Sequence, residues 1–107
     1  MQRAVQLSIR AVIFKEHDCF VAQGIEHDIC ASADSITALM GVFARRIAGN
    51  VAINAQFGRV GLDGVKPAPD RFMQMFDEAG VDLSPVQPAG AALPFPTAKF
   101  RYLEQRQ

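Results

Sequence analysis

The chain has 107 residues, half of them apolar, which suits one domain with a modest core of its own. Eleven Lys and Arg balance eleven Asp and Glu, for a formal net charge of zero. No net field therefore draws the molecule to nucleic acid or to an anionic membrane, and charge-based recognition has to be local.

From Gln6 to Phe14 the residues alternate, with Leu7, Ile9, Ala11 and Ile13 on one side and Gln6, Ser8 and Arg10 on the other. That is the period of a strand with one buried face. Lys15, Glu16, His17 and Asp18 supply a polar turn. CFVAQGIE follows, with Cys19, Val21 and Ile25 on one side, and its β-formers predict a second strand. After a polar break at Glu26, His27 and Asp28, ICASA predicts a third. Such an antiparallel meander buries one face and needs a cover on it.

The cover comes next. Ile36, Leu39, Met40, Phe43, Ile47 and Val51 recur at three- and four-residue intervals, one apolar stripe on a long helix. Asp34 or Ser35 can cap its start. Gly58 or Gly61 can end it, and Gly49 with Asn50 can stop it earlier. These elements make a core spanning 5–57.

KPAPDRFMQMFDEAG predicts a short helix over 69–79, with Pro69 at its first position and Phe72, Phe76 and Ala79 on one face. The stretch 82–97 is rich in proline and reads as an extended loop. A terminal strand over 98–104 alternates Phe100 and Tyr102 against Lys99, Arg101 and Leu103 and can return to the sheet edge. The expected fold class is α+β: a three-stranded antiparallel meander packed on one long helix, a second short helix and a C-terminal strand, in a single domain.

Charge is unevenly spread. No basic residue lies between Lys15 and Arg45, while Glu16, Asp18, Glu26, Asp28 and Asp34 all do. These five carboxylates are the candidate docking surface for a basic partner. The flanks lean the other way. Arg3, Arg10, Lys99, Arg101 and Arg106 form the alternative candidate, a nucleic-acid surface on which Phe100 and Tyr102 would stack bases if the terminal strands meet on one face.

Glu-His-Asp occurs twice, at 16–18 and 26–28, and both histidines and both cysteines of the chain lie in EHDCFVAQGIEHDIC. Two His and two Cys are a valid zinc set. Yet His17 and His27 bracket the second strand, roughly 30 Å apart if it is extended. One zinc cannot take both, so no metal and no cofactor is expected. If the second turn centres on His27, Cys30 faces Gly24 and Cys19 lies on the opposite face. Neither thiol has a neighbouring cation to activate it. The acids sit at two ends of the meander, whereas a nuclease needs them at one centre. Phosphate-loop, nucleophile-elbow and dinucleotide fingerprints are absent. No segment reaches the roughly 18 consecutive apolar residues of a membrane span, and no cleavage site follows a long apolar core. A cytoplasmic, non-enzymatic protein with reduced thiols is expected.

The run VIFKEHDCFVAQGIEHDICASADSITAL resembles the HicB-like antitoxin family, which has a reduced RNase H-like fold. The first strand, the acidic turn, Phe20 to Gln23, the corner from Glu26 to Ile29 and the short strand leading into Asp34, Ser35 and Ile36 carry the likeness. KPAPDRFMQMF is similar to the proline-initiated aromatic helix of short members. The resemblance covers about two-thirds of the chain. It implies a homo-oligomer, dimer or tetramer, that blocks a small basic ribonuclease toxin of the HicA type. Two departures stand out. IEHDICASAD replaces the family's Pro-Asp-Leu-Pro-Gly-Cys-like segment, and no C-terminal helix-turn-helix or ribbon-helix-helix pattern for DNA is present.

Overall fold

The computed structural model describes residues 8–83 and 97–104. In chain order the elements are β1 (Ser8–Glu16), β2 (Cys19–Gly24), β3 (Cys30–Ala33), α1 (Ile36–Gln56), α2 (Asp70–Glu78), β4 (Val81–Leu83) and β5 (Thr97–Tyr102). The fold is α+β, with one mixed sheet in the order β3-β2-β1-β5-β4. The meander β1-β2-β3 is antiparallel, β5 runs parallel to β1, and β4 closes the far side antiparallel to β5.

The alternation of β1 aims Ile9, Ala11 and Ile13 at α1, together with Ala22, Ala31 and Phe100 from the neighbouring strands. The other side is not left wholly to solvent. Val12 and Phe14 pack with Ile25, Phe76 and Ala79 in a second cluster beneath α2. The single buried face expected of the meander is therefore corrected to two. With β5 beside it and a helix over each face, β1 is a central strand, and such strands read as near-continuous apolar runs. Ala11-Val12-Ile13-Phe14 is such a run.

β1 and β2 are joined by His17 and Asp18, with His17 in the left-handed region at φ 55°. α1 begins where Ser35 accepts a 3.1 Å hydrogen bond from the Ala38 amide, satisfying one of the free donors of the first turn. It runs through Gly49 and ends at Gln56, with Gly58 at φ 74° turning the chain away. By length and composition α1 could cross a membrane, with a mean hydropathy of 1.3. A count of consecutive apolar residues misses this. Leu39, Met40, Phe43 and Ile47 nevertheless pack into the sheet core, as expected of a covering helix.

α2 starts one residue later than predicted, with Pro69 as its N-cap. Two further corrections concern the end of the chain. Residues 82 and 83, expected in the loop, belong to β4, while 84–96 of that loop lie outside the described residues. β5 is not an edge strand, because β4 pairs along its outer side and Arg101 Nε donates to Asp82 Oδ1 at 3.0 Å. The chain between the helices is fastened to the sheet at several points. Leu62 is fully buried in the α1 cluster, the Asp28 amide donates to the Lys66 carbonyl at 2.6 Å, and the Ala68 amide to the Ile25 carbonyl at 3.0 Å.

Candidate functional site

The two Glu-His-Asp tripeptides occupy opposite ends of β2, roughly 20 Å apart at 3.3 Å per residue. They have different environments. At the first, Glu16, His17 and Asp18 are all exposed. The pairing of Ala33 with Phe20 carries the end of β3 to the same end of the sheet, so Asp34 joins Glu16 and Asp18 there. Asp34 is exposed too, and no ion pair among the described residues involves any of the three.

In the second tripeptide Glu26 and His27 are half-buried, Asp28 is exposed, and all three are bonded. Glu26 accepts from the Arg10 amide at Oε1 and from Arg10 Nε at Oε2. Burial pushes its carboxyl up, but the amide and guanidinium of Arg10 outweigh that and hold it below its ordinary value of 4.5. Asp28 Oδ1 accepts from Nε2 of the buried Gln23 at 2.8 Å. His27 Nδ1 lies 3.0 Å from the Val65 carbonyl oxygen. Of the five candidate acids, the structure thus gathers Glu16, Asp18 and Asp34 and ties Glu26 and Asp28 into the corner.

The basic candidates divide differently. Arg3 and Arg106 lie outside the described residues. The β1–β5 register sets Arg10 beside Lys99 and Val12 beside Arg101, so these three cations share the α2 face. Two of them are engaged: the guanidiniums of Arg10 and Arg101 lie 5.6 and 4.6 Å from the Phe76 ring centroid. Lys99 is exposed. The proposed stacking aromatics are on the other side of the sheet. Phe100 is 2% exposed against Phe43, and Tyr102 is half-buried beside Phe20. Successive residues of a strand point to opposite faces, so β5 cannot present cations and aromatics together.

Cys30 pairs with Gln23, one residue from the expected partner Gly24. A one-residue change of register reverses the face, so Cys30 and Cys19 lie on the same side of the sheet. Both are free thiols. Burial pushes the Cys30 thiol above 9.0, Asp28 and Glu16 add to that, and Arg46 opposes it. Among the described residues, no three His, Cys, Asp or Glu side chains group as metal ligands.

Sequence reasoning missed two surfaces. One is a shallow open cleft of about 470 Å³ between the first turn and α2, lined by Phe14, Lys15, Glu16, His17, Arg71, Phe72 and Met75. It exists because α2 covers the second face of β1, which the alternation alone did not predict. The other is the exposed apolar end of α1, at Ile53, Phe57 and Val60. Its signal was present as apolar residues outside the stripe used to define the buried face.

No protein-family model, curated protein or solved structure matches the chain.

Proposed function

We propose that this chain is a non-catalytic, cytoplasmic interaction module of the HicB-like kind, which homo-oligomerises and binds a small basic protein. In the fullest form of the proposal that protein is a HicA-type toxin and the chain is its antitoxin. The observation that carries the reading is the exposed group Glu16, Asp18 and Asp34 at one end of the sheet, with no ion pair among the described residues. Ion pairing across an interface steers association and selects oppositely charged partners. Glu26 and Asp28 contribute by holding the corner of the meander, and the antiparallel β1-β2-β3 order leading into α1 supports the HicB-like assignment.

The test is co-purification with the product of a small basic reading frame adjacent to the gene. Capture that is lost in Glu16→Lys with Asp18→Lys supports the reading. Failure to capture that product refutes the antitoxin role. A low-salt gel shift with RNA, lost on Lys99→Glu, would move the function to the α2 face and its cations.

A further inference from the structure

α1 extends beyond the sheet it covers. Its buried residues are Leu39, Met40, Phe43 and Ile47, and none of the residues from Ala48 to Gln56 is buried. Val42, Arg46, Gly49, Ile53 and Phe57 follow one another at three- and four-residue steps, which puts them on one flank of the helix, roughly 90° round from the core-facing stripe. Ile53 and Phe57, with Val60 just beyond, are 57%, 76% and 63% exposed. They are three of the four large apolar side chains so exposed among the described residues, so the exposure is local to this end. Gly49 sits in the middle of the flank, and a Cβ built on it meets nothing within 4 Å.

The charges restrict what can cover this flank. From Ser35 to Leu62 there is no acid, while Arg45, Arg46 and Arg59 are all present. Asp63 follows and is drawn back towards the helix, since Asn54 Nδ2 donates to the Gly61 carbonyl at 2.9 Å and the Asp63 carbonyl at 3.2 Å. Asp63 therefore stands beside the last turns, with Arg59 near it, and Arg45 and Arg46 stand near the middle. A second copy laid antiparallel brings opposite charges together, whereas an anionic bilayer would meet Asp63 as well as the arginines.

We infer that this flank is a homodimer interface, in which α1 packs antiparallel against α1 of a second copy across a two-fold axis at Gly49. The inference rests on the homo-oligomeric part of the proposed function and assigns it a surface. Glycine on the axis lets the helices approach closely, because the separation of packed helices depends on the side chains at the contact. Phe57 then lies over Val42 of the second copy. Ile53 covers the stem of Arg45 of the second copy, and Arg46 reaches Asp63 beside Asn54 of the second copy. The two-fold makes each contact twice, as an isologous interface requires. Glu16 and Asp18, at the far end of the sheet, take no part in it.

Sedimentation velocity on the full chain across a dilution series tests the interface. The expected result is a dimer whose dissociation constant rises about 100-fold in Phe57→Asp, with an unchanged circular dichroism spectrum. Arg46→Asp weakens it, and adding Asp63→Arg restores it. In a Cys19→Ser, Cys30→Ser background, Gly49→Cys joins two copies through a short bis-maleimide. A monomeric wild type overturns both the interface and the homo-oligomer reading. An oligomer that resists Phe57→Asp and does not cross-link at position 49 overturns this interface and leaves that reading standing. A monomer that sediments with phosphatidylglycerol vesicles reassigns the flank to a lipid surface.

Discussion

Glu26 accepts two hydrogen bonds from Arg10, one from its backbone amide at 2.7 Å and one from its guanidinium Nε at 2.5 Å. The Ile25 amide donates to the Arg10 carbonyl at 2.8 Å in the same place. Side chain and backbone together clamp the far end of the β1–β2 pair, and Arg10 goes on to cover Phe76. This acid closes a structural corner.

The clamp makes stability depend on pH. Because the folded carboxyl is held below its ordinary value of 4.5, the clamp stabilises the protein above that value. The contribution is lost as pH falls through the folded value, where the folded state must take up the proton. Glu26→Gln should cost about 1 kcal/mol at neutral pH, the pair being partly exposed. Melting temperatures of wild type and variant should converge as the pH falls below the folded value. A gap that persists there would show that charge at Glu26 is not the source.

Phe76 tests whether both faces of the sheet are packed. It is 3% exposed beneath Arg10 and Arg101, so Phe76→Ala should destabilise by about 3 kcal/mol in urea unfolding. A loss of less than about 1 kcal/mol, the scale of a surface substitution, would mean that the α2 face contributes little.

The first turn carries a backbone cost. His17 adopts φ 55°, a region that costs a non-glycine residue about 1–2 kcal/mol and is worst for β-branched side chains. His17→Val should lower stability by about 1 kcal/mol, while His17→Gly should not lower it. Equal losses in both variants would instead point to contacts of the imidazole.

Cys30 should be a slow nucleophile despite its exposure. Its thiol is pushed above 9.0 by burial, so little thiolate is present at neutral pH, and the thiolate is the reactive form. Iodoacetamide should label it more slowly than free cysteine, and Arg46→Ala should slow it further. Labelling faster than free cysteine would contradict this.

Local pattern in the sequence located most of the elements. Alternation marked β1 and β2, the three- and four-residue spacing marked α1, and Ser35 capped it as its side chain allows. The separation of the two Glu-His-Asp tripeptides also followed from local geometry, since any extended strand between them holds His17 and His27 apart. β4 was harder to see, because Val81–Leu83 is a three-residue strand with no period long enough to register.

The sequence alone determined the α+β class, the meander leading into a long helix, and the stretch where the acids lie, all of which depend on neighbours a few residues apart. Tertiary structure decided the rest: β5 between β1 and β4, the second buried face, the clamping of Glu26 by Arg10, and the side of the sheet on which Cys30 stands. The first three depend on residues distant in the chain, as when Arg10 meets Glu26 or Val12 meets Arg101, and the last on the register of the β2–β3 hairpin. Strand pairing is selected by the burial of whole faces, and that selection has no local signature.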